Sequence, residues 1–228
     1  MTRSFLRHRA LVLCLTAMLA GCSNEVDVEP GAALFRTVAQ TAKGAFGNRD
    51  APAAPAVDDL QLRAALQTEG KPILRVTFNN SGVSTFLGAI ALNQGVRTWS
   101  TNDGLTVSTR DGVLLATRGF GRDLMAADAP SAAQLSRGTG SHPRLHVYLD
   151  GADQTRKVAM TCRVSSAGAE TVAVLGLGYP TRHVVETCTG DAVSERNDYW
   201  FRSDGHLLQS TQFVVPGSPG VTLQAIVE

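Results

Sequence analysis

Aromatic residues and cysteines are scarce in this chain, and positive and negative charges nearly balance. Phe, Trp and Tyr make up 6% of the 228 residues, four residues are Cys, and the formal net charge is +1. A near-neutral chain lacks the basic surface that binds nucleic acid, and no polybasic stretch is present for anionic lipid. With 43% hydrophobic and 18% charged residues, the composition is that of a globular domain.

Motifs of several enzyme and metal-binding classes are also missing. The sequence has no CxxC pair, no GxSxG nucleophile elbow and no glycine-rich phosphate loop that leads into a helix. His142 and His146 are four residues apart, but Pro143 and the strand predicted after it exclude a helical pair of metal ligands. We therefore expect neither a metal ion nor a cofactor.

The first 22 residues resemble a bacterial lipoprotein signal. Arg3, Arg7 and Arg9 precede a short apolar run over residues 11–19, which is too short to span a bilayer. The run ends in Leu-Ala-Gly-Cys at residues 19–22, a lipobox. The resemblance implies cleavage before Cys22 and acylation there with fatty acids such as palmitate, which would anchor the protein firmly. The alternative is an ordinary secretory signal that happens to end in cysteine.

Cleavage would also set the charge and the location of the mature chain. Residues 1–21 carry three Arg and no acidic residue, so their removal changes the net charge from +1 to −2. Ser23 follows the lipidated cysteine where Asp would favour inner-membrane retention under enteric-type sorting. We therefore expect the outer membrane, with the domain facing the periplasm. No second apolar run reaches the roughly 18 residues of a membrane span.

The two remaining cysteines, Cys162 and Cys188, form an even pair in an oxidising compartment. We predict a disulfide between them. Two unpaired buried thiols are the alternative.

The pattern along the chain predicts a signal peptide over 1–21, a tether with a helix and a linker over 22–57, and one β domain over 58–228. Apolar residues recur at helical spacing over 31–46, which indicates an N-terminal amphipathic helix. This helix would pack on its own domain or lie on the membrane or a partner. Residues 47–57 are an Ala/Pro linker, and residues 58–67 form either a short helix or an irregular entry into the domain.

From Lys71 onward, short β-branched runs alternate with turn residues. Roughly a dozen strands at about ten-residue spacing indicate an all-β antiparallel fold, either a barrel or a sandwich. Asp111-Gly112 is the strongest hairpin signal. We expect residues 126–143 to form the longest loop and Tyr179-Pro180 to form a turn.

Several motifs over about residues 58–228 resemble the YjbF family, also described as group 4 capsule polysaccharide lipoproteins. The resemblance implies a β-barrel-like fold and a non-enzymatic role beside exopolysaccharide or capsule gene products, with no catalytic residues to carry over. The segments that carry it are Trp99–Gly104, Arg110–Gly119, Asp123–Met125, Glu186–Cys188, Asn197–Trp200, Ser203–Gly205 and Gln209–Gln212.

Trp99, Tyr199 and Trp200 are the candidate contacts for a glycan or a partner, because an aromatic face fits the apolar face of a sugar ring. Packing in the core is the alternative for each of them. Alternation along a strand places Tyr199 and Trp200 on opposite faces, so only one of the two can point inward.

Three functions remain open from the sequence. The first is a non-enzymatic accessory for assembly or export of a polysaccharide, with polysaccharide or export proteins as partners. The second is a barrel that carries a lipid or glycolipid. The third is a polysaccharide-modifying hydrolase, for which Glu186, Glu195 and Asp198 are the candidate carboxylates although no spacing pairs them.

Overall fold

The computed structural model describes residues 58–68, 70–149 and 154–227. The signal peptide, Cys22, the helix predicted over 31–46 and the Ala/Pro linker lie outside these residues. Two helices are described, α1 (Asp59–Thr68) and α2 (Ala132–Leu135). The strands β1 to β12 are Ile73–Phe78, Ser84–Asn93, Val96–Ser100, Thr106–Arg110, Val113–Arg118, Ala126–Asp128, Thr139–Leu149, Thr155–Val174, Leu177–Gly190, Val193–Phe201, Leu207–Gln212 and Val221–Val227.

All twelve strands form one antiparallel sheet that curls into a nearly closed barrel. The strand order is β5-β4-β3-β2-β1-β12-β11-β10-β9-β8-β7-β6, so β1 joins the two halves by pairing with β12. The two edge strands, β5 and β6, are neighbours in the chain. Thr117 N at the end of β5 donates to Leu124 O just before β6, at 2.8 Å. The predicted all-β antiparallel barrel of about a dozen strands is therefore confirmed.

The side chain of Gln212 satisfies part of the β5 edge from across the barrel. Its Oε1 accepts a hydrogen bond from Leu114 N, and its Nε2 donates to Gly112 O, both at 3.0 Å. Unpaired backbone groups in a barrel interior would otherwise carry a desolvation cost. Gln212 is itself almost completely buried, and its side-chain amide makes the hydrogen bonds to β5 that a neighbouring strand would otherwise make.

Alternation along the strands fills the inside of the barrel and also covers part of its outside. Leu74 joins a buried interior cluster with residues of β2, β3, β4 and β12, whereas the adjacent Ile73 points to the opposite face. On that outer face, α1 and the far end of the β8–β9 hairpin pack over β1, β11 and β12. Arg63 of α1 donates to Leu175 O at 3.3 Å and also to Val174 O, which fixes the hairpin tip to the helix.

The Asp111-Gly112 hairpin is confirmed. Both residues have positive φ, 49° and 82°, which matches the two-residue turn that suits twisted antiparallel strands. A side chain at Gly112 would also collide with Leu207, since an added Cβ lies 2.9 Å from its Cδ2.

Two local expectations were wrong. Residues 126–143 contain β6, the capped helix α2 and the start of β7, so they are not one loop. A capping box, with Ser131 and Gln134 as its members, starts α2. Tyr179-Pro180 lies within β9, because the turn occurs at Leu175-Gly176. Strand β9 tolerates Pro180 because β10 ends opposite Arg182. No strand therefore pairs with Pro180 on the β10 side, where its missing N–H would be needed.

The two possibilities for residues 58–67 are resolved in favour of the helix. Leu66 of α1 is buried against the outer face of the barrel, while Leu60 remains exposed near the hairpin tip. Neither helix that the structure describes has the length and apolar character needed to span a bilayer.

Candidate functional site

A buried polar network around Glu186 occupies the inside of the barrel. Strand β9 points Glu186 inward, β10 points Asn197 and Tyr199 inward beside it, and β7 supplies Arg144. Glu186 Oε2 accepts hydrogen bonds from Arg144 Nη1 at 2.5 Å, Asn197 Nδ2 at 2.7 Å and the Tyr199 hydroxyl at 2.7 Å. His142 Nε2 lies 2.7 Å from the other carboxylate oxygen. Four side chains, one of them the Arg144 guanidinium, thus contact the two oxygens of this carboxylate.

A second branch of the network fixes the tautomer of His146. Arg144 Nε donates to His146 Nε2 at 3.1 Å, so that nitrogen is an acceptor and the ring proton is on Nδ1. His146 Nδ1 lies 2.7 Å from the Tyr148 hydroxyl and donates to it. Phe213 stacks on the imidazole with ring centroids 4.7 Å apart. His146 is therefore held as a neutral ring.

The pKa values follow from this environment. Burial alone would raise the pKa of Glu186, but the charge of Arg144 and the hydrogen bonds from its neighbours outweigh it and lower that pKa to about 2. Burial, reinforced by the charge of Arg144, lowers the pKa of His146 to about 3. The network therefore holds an ionised carboxylate, a guanidinium and a neutral imidazole at neutral pH.

Cys162 and Cys188 form a disulfide directly beside this network. They are opposite each other on β8 and β9, and both are fully buried. The predicted pairing is confirmed. His142, Cys162 and Glu186 offer atoms within 4.8 Å of one another, as metal ligands would. The Cys162 sulfur is committed to the disulfide, and His142 is bonded to Glu186, so these residues do not form a metal site.

A second polar group lies on the outer face of the barrel, and we name Glu170, His183, Arg196, Asp198 and Trp200 the outer cluster. Trp200 stacks on His183 with ring centroids 4.6 Å apart and planes 10° apart. Its indole donates to Glu170 Oε2 at 2.8 Å. His183 lies between two carboxylates, 3.3 Å from Glu170 and 2.6 Å from Asp198.

Charge surrounds Asp198 in the outer cluster. Arg196 binds both of its carboxylate oxygens, at 2.9 and 2.7 Å. Burial would raise the pKa of Asp198, but the hydrogen bonds from Arg196 and His183 outweigh it and lower that pKa. Unlike the inner network, this cluster is open to solvent, since the Glu170 side chain is 50% exposed. It therefore combines an aromatic face with charged groups at the surface.

Trp99 lies at one mouth of the barrel and is 8% exposed. Its indole Nε1 donates to Thr109 Oγ1 at 2.9 Å. The Arg97 guanidinium lies over its ring, 5.4 Å from the centroid. A cavity of about 760 Å³ opens beside these residues.

The three aromatic candidates are therefore not one site. Tyr199 points inward and Trp200 outward, as alternation predicts, and Tyr199 is fully enclosed with its hydroxyl bound to Glu186. Tyr199 is not a surface contact, because its side chain is buried and its hydroxyl is hydrogen-bonded to Glu186. Trp99 is at the mouth, where it packs in the buried interior cluster with Arg97 over its ring.

Arg144 and His146 are central to the inner network, but the sequence did not identify them as partners of Glu186. The available signal was alternation: Arg144, His146 and Tyr148 occupy every second position of one predicted strand. The carboxylate partner lies on a distant strand, which spacing along the chain does not reveal.

Comparison with known proteins identifies the family. A family model described as "Group 4 capsule polysaccharide lipoprotein gfcB, YjbF" matches residues 46–226. The chain belongs to the YjbF family. The YjbF motifs noted in the sequence thus include parts of both polar groups, with Glu186 in one and Asp198 and Trp200 in the other. Membership in this lipoprotein family is consistent with association with a membrane and supports a role related to capsule or polysaccharide.

A solved structure has a similar fold to this YjbF protein. The crystal structure of the hypothetical lipoprotein YmcC from Escherichia coli (K12) aligns with a TM-score of 0.64 and 19% sequence identity. The alignment covers 76% of this chain and 90% of that chain. None of the curated proteins compared with the chain is significantly similar to it.

Proposed function

We propose that this protein is a non-enzymatic lipoprotein of the outer membrane that assists the assembly or export of an exopolysaccharide or capsule. Cys22 would carry the lipid, and the barrel would face the periplasm, where it contacts polysaccharide or export proteins. The match of residues 46–226 to the capsule lipoprotein family is the observation that carries the proposal. The lipobox at residues 19–22 supports the anchor.

The arrangement of carboxylates supports a role without catalysis. Hydrolysis of a glycosidic bond requires two carboxyl groups on either side of the bond. Glu186 is fully buried and bound to Arg144, whereas Asp198 faces outward and binds Arg196. Glu195 accepts a hydrogen bond from Gly217 N at 2.6 Å. These three groups do not face a common space into which a glycan could enter.

The outer cluster supports a contact with glycan or protein. Trp200 is partly exposed, and carboxylate and guanidinium groups stand around it. Aromatic side chains with a polar edge are common at binding surfaces. Because His183 supports one face of the indole, a bound sugar ring or side chain would have to use the other face or the edge.

Complementation of a deletion strain tests the proposal. Under producing conditions, we expect deletion to lower extracellular polymer and the wild-type gene to restore it. Trp200→Ala should fail to restore polymer, whereas Trp200→Phe, which keeps an aromatic face, should restore most of it. Leu149→Ala, which removes an exposed apolar side chain outside the outer cluster, is the control and should restore polymer fully. Immunoblots must show equal amounts of each variant.

Polymer that is unchanged in amount and location after deletion would overturn the proposed function. Full restoration by Trp200→Ala would instead remove the outer cluster from it and leave the accessory role in place.

A further inference from the structure

The lining of the cavity at the barrel mouth combines aliphatic side chains with polar ones, among them Thr109, Asp111 and His206. It opens where β1 begins and β12 ends, between the turns that join β2 to β3, β4 to β5 and β10 to β11, with α2 beside it. Its volume of about 760 Å³ lies within the range of roughly 300–1,000 Å³ typical of small-molecule sites. The aliphatic walls come from Leu74, Leu92, Leu207, Leu223 and Val227.

Trp99 and Ser210, which line this cavity, already form contacts within the protein. Trp99 has its indole N–H bound to Thr109 and one ring face under Arg97. The Ser210 hydroxyl accepts a hydrogen bond from Gln212 Nε2 at 2.8 Å. A sugar ring stacks best on an open aromatic face, and the guanidinium of Arg97 lies over the Trp99 ring, so this lining is poorly suited to stacking a glycan. It is better suited to a hydrocarbon chain.

The lip of the cavity is apolar as well. Leu92 lines the mouth and is 63% exposed, and Ile90 on the same strand is 65% exposed. A bulge between Ala89 and Ala91 interrupts the pairing of β2 with β3, which resumes beyond it and places Leu92 opposite Arg97. Exposed aliphatic side chains next to an apolar cavity mark a place where an apolar ligand enters.

One cation stands at the same lip. Among the residues that the structure describes, Arg97 forms no ion pair, and its guanidinium is held over the Trp99 ring. Two acids also line the cavity: Asp204, which is bound to Arg202 at 2.8 Å, and Asp111 in the turn between β4 and β5. A guanidinium with free donors suits a carboxylate or phosphate head group.

We infer that this cavity binds the acyl chain of an anionic single-chain amphiphile. The chain lies along Leu74 and Leu223, and the head group meets Arg97 at the lip. This ligand site goes beyond the proposed function and does not depend on it, since binding can be present whether or not deletion changes polymer.

A displacement assay tests the site. It uses the mature chain with Cys22→Ser, which has no lipid of its own, and measures the displacement of a bound fluorescent fatty acid by sodium palmitate. Affinity should rise by about fourfold per added methylene from laurate to palmitate. Ala133→Trp, which places an indole in the lining, should weaken palmitate binding at least about tenfold. Ala126→Trp, at an exposed position outside the cavity, should not change it.

Arg97→Gln separates the head group from the chain. It should weaken palmitate binding by about tenfold and leave binding of the uncharged monopalmitoylglycerol unchanged. Circular dichroism checks the fold of each variant, and Arg97→Gln decides the question if Ala133→Trp does not fold. Absence of palmitate binding, equal binding by Ala133→Trp, or an equal loss of both ligands in Arg97→Gln would overturn the assignment. Displacement by maltohexaose rather than palmitate would overturn it in favour of a sugar.

Discussion

Arg144 and Glu186 form an ion pair inside the barrel, with Nη1 and Oε2 2.5 Å apart and both side chains almost completely excluded from water. The two residues come from β7 and β9, with β8 between them, so their side chains meet over the inner face of the intervening strand. Tyr199 donates to the same carboxylate oxygen, and Arg144 also donates to the Tyr199 hydroxyl. The pair and Tyr199 thus link strands β7, β9 and β10 of the barrel wall.

Removal of the Glu186 charge should destabilise the fold. Glu186→Gln keeps the size of the side chain but leaves the Arg144 guanidinium buried without its counterion. We expect the free energy of unfolding to fall by about 3–5 kcal/mol, as when one partner of a buried pair is removed. Urea denaturation measures it. Asp128→Asn on exposed β6 is the control and should change stability by less than about 0.5 kcal/mol. A loss of similar size in the two variants would contradict the structural role of the pair.

Acid should destabilise the protein in two steps. The folded pKa of His146 is about 3, below the ordinary 6.5, so the unfolded chain binds the proton first and stability falls as the pH drops from 6.5 to about 3. Glu186, with a folded pKa of about 2 against an ordinary 4.5, adds a second loss as the pH drops from 4.5 to about 2. Each group contributes a slope of at most about 1.4 kcal/mol per pH unit.

Urea unfolding between pH 7 and pH 4 separates the first step. His146→Gln, which does not titrate, should have a smaller slope than wild type above pH 4.5. Asn93→Gln, at an exposed position that carries no titrating group, is the control and should keep the wild-type slope. An undiminished slope in His146→Gln would show that another group is responsible.

The disulfide should contribute to stability through the unfolded chain. Cys162 and Cys188 are 26 residues apart, which in the chain-entropy model corresponds to about 3.5 kcal/mol. The double variant Cys162→Ala with Cys188→Ala should lose about that much in urea denaturation. Because both sulfurs are buried, dithiothreitol should reduce the folded wild type only slowly and the urea-unfolded protein at once. Rapid reduction of the folded protein would contradict the burial of the bond.

Arg63 should control local opening of the β8–β9 hairpin tip. Its guanidinium binds the carbonyl oxygens of Val174 and Leu175 and lies 5.8 Å from the Tyr179 ring centroid. Arg63→Ala should increase amide hydrogen exchange at the tip and leave the β7 amides near Arg144 unchanged. Arg137→Ala, at an exposed position, is the control. Equal exchange at the tip in the two variants would contradict this anchoring role.

Local patterns in the sequence predicted most of the fold because the strands pair with their neighbours in the chain. Asp111-Gly112 has the two positive φ angles of its turn, and Cys162 and Cys188 are cross-strand partners. The same local signals misplaced the elements around Pro143 and Pro180. Both prolines lie within strands at positions without a neighbour on one side, and only the pairing of distant residues reveals this.

The candidate site was less predictable for the same reason. Alternation separated Tyr199 from Trp200, but it did not show which one points inward. The partners of Trp200, His183 and Glu170, lie on β9 and β8, and the cover of Arg97 over Trp99 depends on side-chain packing at the mouth. Such contacts across strands follow from register and barrel closure, which the composition of one strand does not contain.

The central claim is that this lipoprotein must be anchored to support export of a polysaccharide. The most direct measurement quantifies polymer in medium, periplasm and cytoplasm for cells that lack the gene and for cells that carry wild type or Cys22→Ser. We expect external polymer to be lost in the deletion, restored by wild type, and not restored by stably expressed Cys22→Ser. Unchanged polymer in all three compartments after deletion would contradict the claim.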